Sequence, residues 1–333
     1  MKLRVGLDVG GTKTAALIVN EAGRPLGQAI QPTEADSPQR LVDGIRTTID
    51  RALHDADQSM NDLVAAGVGI PGQVDPIKGT VRLAVNLNLS EPYPLRHALQ
   101  EALGIPVALE NDVRTAAWGA YHWARHSAPL NSLAYLSVGT GIAAGLILDG
   151  RLYRGANGMA GEIGHIPLDA TGPRCVCGSY GCLEAYAAGP AIASAAATLP
   201  DDGHMPTTNE VYALAAGGHL AAARIVERAA GHLARAVYLL PMTYDVEKVV
   251  LGGGVTRAAD AFERPLRHAM DNLRAASSLA SSMMPDEKVV IIPPDYSAGV
   301  MGAVFLAPAP TPADRQEENE KSREAVPPIV VKQ

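Results

Sequence analysis

Cys175, Cys177 and Cys182 are the three cysteines of a 333-residue chain, and all fall in GEIGHIPLDATGPRCVCGSYGCLEAY, residues 161–186. C-x-C-x4-C preceded by His165 offers three thiolates and an imidazole, a donor set that tetrahedral Zn²⁺ accepts. Gly172-Pro173 and Gly178 let the chain fold back so that the four groups converge. A disulfide is the alternative; it would leave one thiol odd, and a reducing compartment would not preserve it. Four protein ligands close the coordination shell, so such a metal staples a loop instead of activating a water. Glu162 and Glu184 stand at the loop's margins. With one ring nitrogen of His165 on the metal, the other can donate to a ligand hydroxyl. The stretch predicts a metal-stapled polar binding site.

Three glycine turns bear on phosphate chemistry. DVGGTK sets Asp8 at a strand end, followed by Gly10, Gly11, Thr12 and Lys13. Successive N–H groups at such a turn wrap phosphate oxygens, Lys13 adds positive charge, and Asp8 can hold Mg²⁺ directly or through water. A tight β-hairpin with an exposed lysine accounts for the same residues. SVGTG, residues 137–141, repeats the pattern with Gly139, Thr140 and Gly141. LGGGV, residues 251–255, holds Gly253 and Gly254: either a turn that admits a purine against bare backbone, or a strand-to-helix connection needing positive φ. Gly67, Gly69 and Gly72 spell G-x-G-x-x-G, but Pro71 and the QVDP turn exclude the helix a dinucleotide site requires. ALENDVRTAAW puts Asn111 and Asp112 where a strand ends and a helix begins. Asp112 is there either as the helix cap or as a general base beside a neutral amide.

The elements that must position these residues follow from pattern. LRVGLDVGGTKTAALIVN reads as strand, turn, strand, and GRPLGQAIQ as a third strand, making an antiparallel meander. Ser37-Pro38 opens a helix whose Leu41, Ile45, Ile49 and Leu53 form one apolar stripe. LVAAGVGI and PVALE are strands on either side of a helix at about 95–103, and the next helix turns Val113, Ala116, Ala117 and Ala120 inward. SLAYLSV and IAAGLILDG form a hairpin around GTG, so the second half repeats the opening of the first. Residues 209–240 read as helix, with Asn209 as cap and Pro241 as stop; KVVLGGGV and KVVIIPP are strands about a further helix, and 298–306 closes the fold. The recurrence implies two related α/β domains: a small one at 1–112, completed by the closing helix, and a large one at 113–297. Pro-rich and then charged text makes 308–333 a solvated tail.

A net charge of −7 offers no general attraction for nucleic acid or anionic membrane. No apolar run is long enough to span a bilayer, and MKLRV leads straight into an apolar strand without a signal-peptide pattern. The expectation is a cytoplasmic protein that binds small molecules.

In order, DVGGTK, GIPG, ENDVRTAAWGA, GTGIAAGLI, GEIGHI, CVCGSYGCLEAY and LGGGV resemble the ROK family of sugar kinases and sugar-responsive repressors, over about residues 3–306. The resemblance implies the actin-like (ribonuclease H-like) two-domain ATPase fold with a structural zinc loop. It implies that Asp112 takes the proton from a sugar's 6-hydroxyl, and that Asn86, Asn111, Asp112, Glu162, His165 and Glu184 contact that sugar. By the same resemblance Gly10, Gly11, Thr12 and Lys13 form a first phosphate loop, Gly139, Thr140 and Gly141 a second, and Gly253 and Gly254 lie by adenosine. His165, Cys175, Cys177 and Cys182 become the Zn²⁺ ligands, ATP with Mg²⁺ the donor, and a homo-oligomer, dimer or tetramer, the expected assembly. E-x-G-H at 162–165 is nearer the glucose and N-acetylhexosamine branches than the fructokinase one. The expected activity is glucokinase, with N-acetylglucosamine kinase or N-acetylmannosamine kinase next and fructokinase after them. Asn88-Leu89 stand where glucose enzymes often carry Gly-Trp. From another class comes the non-catalytic sugar-sensing transcriptional regulator; such relatives carry a helix-turn-helix ahead of the core, and here the first strand starts at Leu3.

Overall fold

A computed structural model describes residues 2–199 and 204–308. All but the first residue of the tail expected at 308–333 lies outside them. Along the chain run β1 (Leu3–Val9), β2 (Lys13–Val19), β3 (Pro25–Pro32), α1 (Pro38–Asp55), β4 (Leu63–Ile70), β5 (Gln73–Asp75), β6 (Thr80–Arg82), α2 (Leu95–Leu103), β7 (Val107–Asn111) and α3 (Asp112–Ala124). There follow β8 (Leu133–Val138), β9 (Ile142–Leu148), β10 (Arg151–Tyr153), α4 (Glu184–Ala187), α5 (Gly189–Ala195), α6 (Thr208–Ala216), α7 (Leu220–Tyr244), β11 (Lys248–Gly252), α8 (Asp260–Ala276), α9 (Ser278–Met283), β12 (Val289–Ile291) and α10 (Ala298–Leu306).

The described residues divide into two compact units. One holds the chain up to Pro129, Arg154–Met159 and the stretch from Asp295; the other holds Leu130–Tyr153 and Ala160–Pro294. The division expected after residue 112 therefore falls after Pro129. The reason is packing: α3 lies against α10, and Gly302 and Gly119 let their backbones meet. A Cβ on Gly302 would stand 1.8 Å from the Thr115 carbonyl oxygen.

In the first unit the sheet order is β3-β2-β1-β4-β7, and in the second β10-β9-β8-β11-β12. Both begin as an antiparallel meander and continue through two parallel strands. Val9 opposite Thr14 and Val138 opposite Ile142 place the DVGGTK and SVGTG turns at matching positions on their sheets.

The first unit's core lies between its sheet and α1, where Leu41, Ile45, Ile49 and Leu53 pack with Leu3, Val5 and Leu7. Burying each such side chain is worth about 1.5–3 kcal/mol, so this stripe alone sets the helix's orientation. On the other face Val300, Met301 and Val304 of α10 meet Leu17 and Val19 of β2. Gly67 belongs to this contact: its Cβ would lie 1.9 Å from the Ala303 carbonyl oxygen. Gly69 likewise faces Thr115 of α3, so two of the three G-x-G-x-x-G glycines serve helix-on-sheet packing, and Gly72 takes φ +98° in the turn after β4.

Residues 209–240 depart from the single helix expected. Thr207, not Asn209, caps α6, because Thr207 and Glu210 exchange side chain and backbone in a capping box. Gly217-Gly218 then breaks the helix, Gly218 at φ +90°. The second helix, α7, runs through Pro241 and ends where Asp245 adopts the left-handed region. Proline forfeits one bond in that last turn, and burial of Leu240 and Pro241 outweighs the loss.

Candidate active site

In the first unit, strand register brings the acidic residues to one end of the sheet. Asp8 of β1 is level with Gly69 of β4, and Gly69 with Glu110 of β7, so Asp112 emerges just beyond that row. At this junction Asn111 is the N-cap: its Oδ1 accepts from the N–H groups of Val113 (3.1 Å) and Arg114 (3.2 Å). Its Nδ2 donates to Asp112 Oδ1 at 2.8 Å and to the Gly72 carbonyl at 3.2 Å. Capping duty therefore falls to Asn111 and releases Asp112. The Val113 N–H also bonds Asp112 Oδ1, at 2.9 Å, and Oδ2 carries no hydrogen bond among the described residues. Asn111 has spent both acceptor and both donor positions inside the protein.

Burial raises the pKa of Asp112 above the ordinary carboxylate value, against the pull of the Val113 N–H, the Arg114 charge and the Asn111 amide. Asp8 is pushed up to about 6, first by burial and then by the charge of Asp112, while Lys13 pulls the other way. Two neighbouring carboxylates, one of them raised by the charge of the other, beside the turn of Gly10 to Lys13, suit a divalent cation. The turn closes through Gly10 N–H on the Lys13 carbonyl at 2.9 Å, leaving Thr12 and Lys13 exposed. Asn86 sits in a short 3₁₀ turn so near this loop that a Cβ on Gly11 would come within 2.8 Å of its Cβ.

In the second unit Gly139, Thr140 and Gly141 form the turn between β8 and β9, closed by Gly139 N–H on the Gly141 carbonyl at 3.0 Å. Glu184, the first residue of α4, reaches it: its Oε2 accepts from the Ile142 N–H at 2.9 Å. A cleft of about 490 Å³ is lined by Gly139, Thr140, Gly189, Pro190, Thr207 and Gly254, among others. Gly253 turns the chain at φ +105°, and a Cβ on Gly254 would meet open space. Gly189, Pro190 and Thr207 were not singled out in the sequence as site residues. Gly189 and Pro190 reach the cleft because α5 docks on the turn through Gly189 N–H to the Gly139 carbonyl, 2.8 Å, and Thr208 Oγ1 on the Gly189 carbonyl, 2.9 Å, brings Thr207 alongside.

The cysteine loop belongs to the same unit. Pro167 pairs with Cys182 and Arg174 with Tyr180, which makes the loop a small hairpin. His165 Nδ1 lies 3.6 Å from Cys175 Sγ, and the Sγ atoms of Cys177 and Cys182 are 3.7 Å apart. All four donor atoms fall within 4.8 Å of one another. Zn–S bonds near 2.3 Å give a tetrahedron with edges of about 3.8 Å, so the residues fit the ion. Burial and the neighbouring thiols push Cys182 up to about 12, a shift that a bound cation would reverse by favouring the thiolate. With Nδ1 turned to the sulfurs, Nε2–H of His165 is left to donate elsewhere. Glu162 precedes the 3₁₀ turn Ile163–His165, and Gly161 ties this turn to β9 by accepting from the Ala144 N–H at 2.7 Å.

The sequence-derived candidates thus fall into two groups. Asp8, Gly10, Gly11, Thr12, Lys13, Asn86, Asn111 and Asp112 lie in the first unit, and Gly139, Thr140, Gly141, Glu162, His165, the three cysteines, Glu184, Gly253 and Gly254 in the second. Among the described residues no helix is long and apolar enough to cross a membrane.

Comparison with known proteins gives a consistent family. The model of the ROK family matches residues 4–309. A glucokinase of Halalkalibacterium halodurans is 32% identical over 277 residues, 79% of this chain and 83% of that protein. An N-acetylmannosamine kinase of Citrobacter koseri is 31% identical over 308 residues, 91% and 98% of the two chains. Among solved structures, a ROK family glucokinase from Streptomyces griseus in complex with glucose and AMPPNP superposes with a TM-score of 0.77 at 28% identity, covering 92% of this chain and 99% of that one.

Proposed function

Because this chain belongs to the ROK family, we propose that it is an ATP-dependent sugar kinase that phosphorylates a hexose at its 6-hydroxyl, glucose first among the candidates. The observation that carries the reading is the division of labour at the β7–α3 junction. Asn111 caps the helix, and Asp112 is left as a half-buried carboxylate with raised proton affinity and a free oxygen. Such a group can take a proton from an alcohol as it attacks a phosphoryl group.

Phosphoryl transfer depends on in-line positioning and on neutralising charge more than on covalent help. The turns at Gly10–Lys13 and Gly139–Gly141 would hold phosphate oxygens through backbone N–H groups, and the cleft bordered by Gly254 would take the adenosine, with Gly253 as its turn. Asp8 would hold Mg²⁺, which when bound offsets the phosphates' charge. Asn86, Glu162, His165 Nε2–H and Glu184 would bond the other sugar hydroxyls; Asn111 can join them only by giving up its longer bond, to Gly72. The Cys₃His set would hold structural Zn²⁺ and fix His165 in place. The enzyme would work in the cytoplasm as a homo-oligomer, dimer or tetramer, without nucleic-acid or membrane partners. An N-acetylhexosamine, N-acetylglucosamine or N-acetylmannosamine, is the alternative to glucose, the latter supported by a relative of nearly equal identity that is an N-acetylmannosamine kinase.

The test is a coupled ADP-release assay with ATP over glucose, mannose, fructose and the two N-acetylhexosamines. Glucose should give the highest kcat/KM; failure to turn over any hexose would refute the kinase reading, and operator binding in a gel shift at physiological salt would replace it with the regulator.

A further inference from the structure

Immediately behind Asp112 lies a buried charge network that the mechanism above does not use. Glu110 is 1% exposed and Arg114 4%, and Arg114 Nε donates to Glu110 Oε1 at 2.7 Å. The same oxygen accepts from the Asn111 backbone N–H at 2.9 Å. Glu110 Oε2 accepts from Arg154 Nε at 2.6 Å, and Arg114 Nη1 donates to the Gly158 carbonyl at 2.9 Å. The bonds close a ring. Residues 154–158, which belong to the first unit although they follow β10 in the chain, are gripped at both ends: the Arg154 side chain on Glu110, the Gly158 backbone on Arg114.

We propose that Glu110, Arg114 and Arg154 are positioning residues, a clamp that holds the Asn111–Asp112 junction and the 154–158 segment as one piece. The proposal rests on the kinase reading for its kinetic consequence, since Asp112 is there the base and Glu162 lies four residues past Gly158.

Three arguments support it. The Glu110–Arg114 pair is desolvated, and buried ion pairs are poor sources of net stability compared with apolar side chains of equal volume. What they do supply is direction, because a buried carboxylate with two guanidiniums and a backbone N–H admits few arrangements. The directed groups are also the relevant ones: Glu110 orients the peptide that enters Asn111, and Asn111 Nδ2 in turn holds Asp112 Oδ1. Finally, the neutral contacts of the segment run the same way. Gln73 Nε2 donates to the Asn157 carbonyl at 2.8 Å, next to the Gly72 carbonyl that Asn111 uses.

The experiment compares Arg154→Met, Arg114→Met, Arg114→Lys and Glu110→Gln in the full-length protein by hydrogen exchange and by steady-state kinetics. Arg154 is 40% exposed, so its variant folds even where loss of a wholly buried partner does not. Arg154→Met should speed amide exchange about tenfold in peptides covering 154–160 and also in those covering 108–118. It should raise the sugar KM roughly fivefold or more and leave the ATP KM within about twofold. Arg114→Met should lower kcat by roughly thirtyfold or more, and Arg114→Lys should recover part of it. Faster exchange confined to 154–160, or unchanged kinetics in Arg154→Met, overturns the clamp. If the wild-type protein phosphorylates no hexose, the functional reading falls by itself, and the exchange of the two peptides still decides whether they move together.

Discussion

Asp8→Asn should stabilise the protein at neutral pH while abolishing its proposed activity. The carboxyl of Asp8 is raised from the ordinary value of 3.8 to about 6, by burial first and by Asp112 second. Between those pH values the folded state binds more protons than the unfolded one, so stability falls as pH rises through the window. Below pH 3.8 the group is neutral in both states and costs nothing; above about 6 the whole cost is present. A shift of about 2.2 pH units at 1.36 kcal/mol each sets an upper limit of about 3 kcal/mol, and partial access to solvent brings the expected gain to about 1–3 kcal/mol. Asparagine carries no charge at any of these pH values and removes the term. The two tryptophans, Trp118 and Trp123, both lie in α3, so their emission reports on the first unit. Urea unfolding followed by tryptophan emission, in EDTA at pH 7.5, should show the variant more stable by that amount, equivalent to roughly 3–10 °C in Tm. At pH 3.5 the two proteins should coincide. A variant less stable than wild type at pH 7.5 would refute the reasoning, since it would mean that the charge of Asp8 is satisfied within the fold. Added Mg²⁺ with nucleotide should then raise the wild type and leave the variant unmoved, because the cation offsets a charge that only the wild type carries.

Three further outcomes are expected. Asp112→Asn should retain sugar affinity within a few-fold and lose about 10²–10⁴ in kcat, and in the wild type kcat should fall as pH drops through the raised pKa of this residue, above the ordinary carboxylate range; a titration at or below 3.8 contradicts its burial. Cys182→Ser, or stripping metal with a chelator, should lower Tm and raise the sugar KM together; sugar affinity that survives the loss of metal rules out the staple. Gly254→Val should fold normally, because its Cβ enters open space, yet raise the ATP KM about tenfold or more without changing sugar binding; an unchanged ATP KM removes the cleft from nucleotide binding.

Much of this arrangement is legible in the sequence because it is local. The stripe Leu41, Ile45, Ile49, Leu53 dictates α1, and Ser37 and Pro38 mark its start, as the cap bond from Arg40 N–H to the Ser37 side chain shows. Four metal-binding residues within 18 positions, with glycines between them, leave the chain little choice but to gather them. Harder to see are decisions between equals. Asn111 and Asp112 are both good caps, and only the backbone of residue 111, extended at φ −63° and ψ 144°, assigns the cap to asparagine and leaves the acid for chemistry. Thr207 displaces Asn209 in the same manner, through the Glu210 that completes its box. Non-local partners leave no trace in pattern at all. Nothing in RGANG announces that Arg154 will bind Glu110, forty-four residues earlier in the chain.

The duplicated sheet explains why the site residues, scattered in sequence, need so few elements to gather them. Each unit repeats the order of three antiparallel strands followed by two parallel ones, so each places a glycine turn after its first strand at the same end of the sheet. Parallel strands expose their carboxyl ends together, and in open α/β sheets ligands bind there. Asp8, Glu110 and Asp112 follow from β1 and β7 in the first unit; Gly139, Gly253 and Gly254 follow from β8 and β11 in the second. One topology used twice thereby yields different chemistry from the same position. The first unit ends its strands in carboxylates, suited to a proton and a cation, and the second ends them in bare backbone, suited to phosphate and a flat ring. A carboxylate just beyond β11, as in Gly254→Asp, should therefore weaken ATP binding far more than the isosteric Gly254→Asn, because it sets a negative charge beside the Gly139–Gly141 turn proposed to hold phosphate; equal ATP KM values for the two would show that the second unit does not bind the donor through this turn.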